Sequence, residues 1–209
     1  MIGPRPDLAL AGGYHSPQLD VAVRLNTNES PEPPPEAFAD ALRDEVLPGL
    51  PWHRYPDREA GALREAIGVE HGLGSAWVFA ASGSNEVLQT LLLTYGGPGR
   101  TALVWEPTYA LHAPLARITA TEVAVAQRPA GFDLASEEVG DAIRSRRPSV
   151  VFLCSPNNPT GTVDDPSVAR AAVDAAAEVD ALVVAAEGHR QVPRCPAQSV
   201  LGDGAPRDA

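Results

Sequence analysis

The sequence predicts an α/β fold, a mainly parallel sheet with helices on both faces. Five short runs carry that expectation: "AWVFAA" (76–81), "TALVW" (101–105), "TEVAVA" (121–126), "SVVFLC" (149–154) and "ALVVAA" (181–186). Each is apolar on both faces, as strands covered on both sides are. Stretches of helical period separate them, and that alternation belongs to parallel sheets rather than hairpins.

Along the chain, the first fifty residues are proline-rich and read as an extended arm leading into one helix at 36–46, stopped by Pro48 and Pro51. A second helix is expected from Asp57 to His71, with Ala62, Leu63, Ala66 and Ile67 on one face and Gly72 and Gly74 ending it. Further helices are expected at 85–95, 109–118, 136–146 and 165–179, between the apolar runs. No internal repeat interrupts this order. The domain reading is an arm with its helix over 1–50 and a larger α/β domain over 51–209.

Composition narrows the function. Asp and Glu number 27 against 16 basic residues, a net charge of -11, which argues against nucleic acid or an anionic membrane as partner. No apolar run is long enough to span a bilayer, and the N-terminus lacks a signal peptide's apolar core, so a cytoplasmic protein is expected. Cys154 and Cys195 stand alone and the histidines form no H-E-x-x-H pair, so neither a disulfide framework nor a metal site is expected. All 16 basic residues are arginine. Chemistry that needs a lysine, whether a Walker-A phosphate contact or a Schiff base, is therefore outside these residues.

Parallel sheets bind ligands at the carboxyl ends of their strands, so motifs just after a strand are read first. "ASGSNEVLQTLL" passes from a strand through Ser82, Gly83, Ser84 and Asn85 into a helix. Free N–H groups and small hydroxyls there suit a phosphate, or the segment is a plain N-cap. In "WEPTYALH", Tyr109 opens the next helix and can stack on a flat ring or simply pack half-buried. In "SPNNPTG", Pro156 and Pro159 force a turn out of the strand. Asn158 can then aim its amide into the cleft, or the turn is an Asx turn with Thr160 capping.

Taken in order, "RLNTNESP", "HRYPD", "SGSNEVL", "EPTYALH" and "CSPNNPTGT" resemble the pyridoxal-phosphate-dependent aminotransferases of fold type I, and among them the histidinol-phosphate aminotransferase family. The likeness runs from about Tyr14 to Val184. It implies the family's large domain, amino transfer between histidinol phosphate and a 2-oxo acid such as 2-oxoglutarate in histidine biosynthesis, pyridoxal 5′-phosphate as cofactor, and a homodimer. Other class I/II aminotransferases and phospho-amino-acid decarboxylases share these motifs. By resemblance, Ser84 and Asn85 would hold the cofactor phosphate, Tyr109 would stack on the pyridine ring, and Asn158 would hydrogen-bond the ring oxygen. Tyr55 would reach the phosphate of a neighbouring subunit, and Tyr14, Asn28 and Glu29 would lie near the substrate.

Two departures stand out. Where the family carries D-E-A-Y, this chain reads Ala186, Glu187, Gly188 and His189. The carboxylate that pairs with the pyridinium nitrogen is thus missing, and Glu187, one residue along, faces the other side of a strand. The resemblance also puts the Schiff-base lysine, a substrate-binding arginine and a C-terminal small domain beyond Ala209. The expectation is a truncated large domain, inactive alone.

Overall fold

A computed structural model describes residues 32–187 and, ahead of them, residues 2, 3, 5, 6, 8, 17, 19–23, 29 and 30. The chain divides into two compact units, Gly13–Ala80 and a second made of Met1–Gly12 with Ala81–Ala209.

In the first unit, helix α1 (Glu36–Ala41) follows a run of prolines whose last member, Pro35, is extended. It widens into a π turn at Leu42–Val46 and then tightens into a 3₁₀ turn at Leu47–Gly49, where Pro48 ends the helical run. Helix α2 is Gly61–His71, four residues shorter at its start than the sequence suggests. The missing turn is used for capping. Asp57 accepts from the Gly61 N–H at 2.7 Å and the Glu59 N–H at 3.0 Å, and these bonds hold its carboxyl below the usual range.

The expected strand "AWVFAA" does not form. Ser75–Trp77 is a 3₁₀ turn, and 78–81, though Val78 is extended, joins no strand ladder among the described residues. The Val78 carbonyl is taken instead by Arg64 Nε at 2.8 Å. An extended segment becomes a strand only when a neighbour pairs with it.

The second unit carries the sheet. Its strands are β1 (Thr101–Glu106), β2 (Glu122–Gln127), β3 (Val150–Cys154) and β4 (Leu182–Ala186), in the spatial order β2-β1-β3-β4 and all parallel. Alternate residues divide two cores. Leu103, Trp105, Val151 and Leu153 face helices α5 (Ser136–Arg146) and α6 (Pro166–Val179) through Val139, Ile143, Val168, Ala172 and Ala175. Ala102, Val104, Val150 and Phe152 face α3 (Ser84–Tyr95) and α4 (His112–Ile118) through Leu88, Leu92, Leu115 and Ala116. The sheet is therefore covered on both faces, as the apolar strands require.

Local chemistry sets the helix ends. Asp165 caps α6 by accepting from the Ser167 N–H at 2.9 Å, with Pro166 in the first turn. In α5, Glu137 and Glu138 open the helix and Arg144 and Arg146 close it, matching its dipole. Gly96, just after α3, is a close approach: a Cβ there would collide with Thr121 Oγ1 and the Leu92 carbonyl. Helix α4 starts at His112 rather than at Tyr109, whose carbonyl accepts from the His112 N–H at 3.1 Å. Tyr109 thus belongs to the loop that follows β1.

Candidate functional site

Three segments converge at the carboxyl edge of the sheet: the start of α3, the loop after β1 and the loop after β3. Parallel pairing places the ends of β3 and β4 side by side, Cys154 against Ala186, with the Ser155 N–H donating to the Ala186 carbonyl at 3.1 Å.

At α3, Gly83 takes φ +90°, a conformation that only glycine adopts without strain, and offers no side-chain cap. The Glu86 carboxylate reaches back to the Ser82 N–H, 2.6 Å away. Ser84 and Asn85 occupy the first turn, both exposed. First-turn N–H groups have no partner inside a helix, so this end can accept an anion.

The loop after β1 comes to meet it. Tyr109, half-buried, donates its hydroxyl proton to Asn85 Oδ1 at 2.9 Å, joining two of the residues singled out in the sequence. Behind Tyr109 the His112 ring stands edge-on at 5.4 Å and stacks on Phe152 at 4.6 Å. Burial lowers the His112 pKa to about 4, which keeps the imidazole neutral at neutral pH.

The loop after β3 is rigid by construction. Asn157 is 1% exposed and donates through Nδ2 to the Pro107 carbonyl at 3.0 Å and to Thr160 Oγ1 at 2.8 Å. Its neighbour Asn158 is only partly buried, which leaves its amide available to a ligand. At the end of β3 the buried Cys154 thiol lies 3.6 Å from the Pro156 carbonyl. Burial pushes its pKa up, partly offset by the Asn158 and Tyr109 backbone N–H groups and the nearby Arg128 charge.

Beneath the loop, Arg128 and Asp164 form a buried bidentate pair at 2.9 and 3.0 Å. The same guanidinium donates to the carbonyls of Phe132 at 2.7 Å and Cys154 at 3.2 Å, and Asp164 accepts from the Leu134 N–H at 3.2 Å. The Asp164 N–H donates to Ser155 Oγ at 3.0 Å. The pair therefore fastens both ends of the loop that carries Asn157 and Asn158. Sequence reading missed both Asn157 and this pair. An amide between two prolines was a signal for the first; 36 residues separate Arg128 from Asp164, and nothing local marks them.

The remaining residues named from the sequence belong to the other unit or lie outside the described residues. Tyr55 is fully exposed and Glu29 exposed, both in the unit Gly13–Ala80. Tyr14, Asn28 and His189 lie outside the described residues. At the end of β4 the side chain is the methyl group of Ala186, so that position offers no carboxylate. Among the described residues no cluster of His, Cys, Asp or Glu can hold a metal, and no helix is long and apolar enough to cross a membrane.

Comparison with known proteins finds relatives over most of the chain. Residues 20–192 match the family model described as aminotransferase class I and II. A histidinol-phosphate aminotransferase of Frankia casuarinae is 46% identical over 196 residues, covering 90% of this chain and 49% of its own length. That of Thermobifida fusca is 48% identical over 161 residues, covering 76% and 44%. The chain thus spans about half the length of these curated relatives. Among solved structures, a Thermus thermophilus aspartate aminotransferase variant superposes with a TM-score of 0.67 at 24% identity, over 76% of this chain and 46% of its own. Cystalysin from Treponema denticola, a structure that contains pyridoxal 5′-phosphate, superposes with a TM-score of 0.61 at 14% identity, over 75% and 41%. These two show a shared fold. The chain belongs to the class I and II aminotransferase family, and the two curated relatives described above are histidinol-phosphate aminotransferases.

Proposed function

We propose that this chain forms the cofactor-holding part of a histidinol-phosphate aminotransferase, which moves an amino group between histidinol phosphate and a 2-oxo acid such as 2-oxoglutarate. The observation that carries this reading is the Tyr109 hydroxyl bonded to Asn85 at the open start of α3. An anion-binding helix end and an aromatic ring face are thereby held together at the carboxyl edge of the sheet. Pyridoxal 5′-phosphate supplies an electron sink for the amino-acid carbon when bound.

The residues present fit the phosphate and the ring of that cofactor. Ser84, Asn85 and the first-turn N–H groups of α3 would hold the phosphate. Tyr109 would lie against the ring, and Asn158 would donate its amide to the ring oxygen. The neutral His112 behind Tyr109 adds no competing charge. Tyr55 of a second copy of the chain would reach the phosphate, and Tyr14, Asn28 and Glu29 would lie toward the substrate, which makes the working form a homodimer.

The fit stops at the covalent chemistry. No lysine occurs in the 209 residues, and Ala186 has no charge to place beside a ring nitrogen. These two observations favour a second reading for this stretch of chain taken alone, a protein that binds the cofactor without turning over substrate. One titration addresses both. Pyridoxal 5′-phosphate added to the purified chain should bind reversibly and leave no borohydride-fixed adduct on any side chain. No binding overturns the cofactor reading, and turnover of histidinol phosphate overturns the inactive one.

A further inference from the structure

We propose that Asn157 is a positioning residue that fastens the Tyr109 loop to the Asn158 loop, so that ring face and amide are presented as one unit. The inference rests on the reading that Tyr109 and Asn158 face the cofactor ring.

Four hydrogen bonds pin Asn157. Its N–H donates to the Thr162 carbonyl and its own carbonyl accepts from the Gly161 N–H, both at 2.7 Å, which closes the loop on itself. Both side-chain protons are then used. One goes to Thr160 Oγ1 within the loop; the other crosses to the Pro107 carbonyl, 50 residues away in sequence. Pro107 is two residues before Tyr109, and Asn157 is one before Asn158. A shift of either loop would break this bond.

The side chain is also retained at a cost. Asn157 Oδ1 is buried without a partner, a penalty that an apolar residue filling the same space would avoid. The amide is explained by what its nitrogen does, since an apolar residue cannot donate to Pro107.

The test is a double-mutant cycle read with pyridoxamine 5′-phosphate, a probe that needs no lysine. Asn157→Ala and Asn158→Ala should each weaken binding about tenfold, the size of one lost hydrogen bond, and the double variant should lose clearly less than the product of the two. Additive losses would overturn the proposal. Side-chain NMR gives a readout that needs no ligand. Asn157→Ala should shift the Tyr109 ring signals together with the Asn158 amide, whereas Asn158→Ala leaves Tyr109 in place. An unmoved Tyr109 in Asn157→Ala refutes the coupling whether or not the probe binds. Failure of the wild-type chain to bind the probe refutes the cofactor reading instead. If Asn157→Ala does not fold, Asn157→Ser, too short to reach Pro107, carries the same comparisons.

Discussion

His112 shows how one residue can serve the site without touching a ligand. Its ring is sandwiched against Phe152 and Tyr109, with Nδ1 3.3 Å from Thr108 Oγ1 and Nε2 buried without a partner. Protonation would bury a charge there, so burial lowers the pKa from 6.5 to about 4. The unfolded chain takes up that proton at higher pH than the folded one. Stability is therefore complete above pH 6.5 and falls as pH drops from 6.5 through 4, by an amount on the order of 3 kcal/mol. Urea unfolding at pH 7 and pH 5 measures the loss. His112→Phe should flatten that dependence, and an unchanged slope would remove His112 as its source. The Tyr109→Phe variant is expected to be milder, losing about 1 kcal/mol or less, because its bond to Asn85 is exposed.

Among the elements, the loop after β3 depends on a buried charge pair and α6 on a surface cap. Asp164→Ala leaves the Arg128 guanidinium buried and unpaired, and should destabilise by about 3–5 kcal/mol in chemical denaturation. Replacing both partners with apolar residues of similar size should recover much of that loss. Asp165→Ala removes only the α6 cap and should cost about 1 kcal/mol. These contrasts show what local pattern can reveal. Four of the five expected strands form, because apolar runs between helical stretches have few other places to go. Helix α5 matches its expected span because acidic and basic residues mark its two ends. "AWVFAA" has the same pattern as the others, yet its pairing depends on a neighbour that no local signal supplies. Tyr109, Asn85 and Asn158 were legible because glycine, proline and amide residues mark loops. The buried role of Asn157 was not, since two adjacent asparagines look alike until the fold turns one inward.

At the scale of the molecule, β4 is an edge strand of the sheet among the described residues, and Ala185 on it is exposed. An edge with no partner strand among the described residues invites another strand, so concentration-dependent association is expected despite the net charge of -11. Analytical ultracentrifugation measures it, and Ala185→Lys should suppress it by placing a charge on the edge. We propose that the carboxyl edge of this sheet holds a cofactor phosphate at the start of α3 and the ring beside Tyr109. Phosphorus-31 NMR of pyridoxamine 5′-phosphate tests it most directly, on the wild-type chain and on Ser84→Ala. A distinct bound phosphate signal is expected in the wild type, weakened or lost in Ser84→Ala. An unshifted signal in the wild type, or a bound signal indifferent to Ser84, would contradict it.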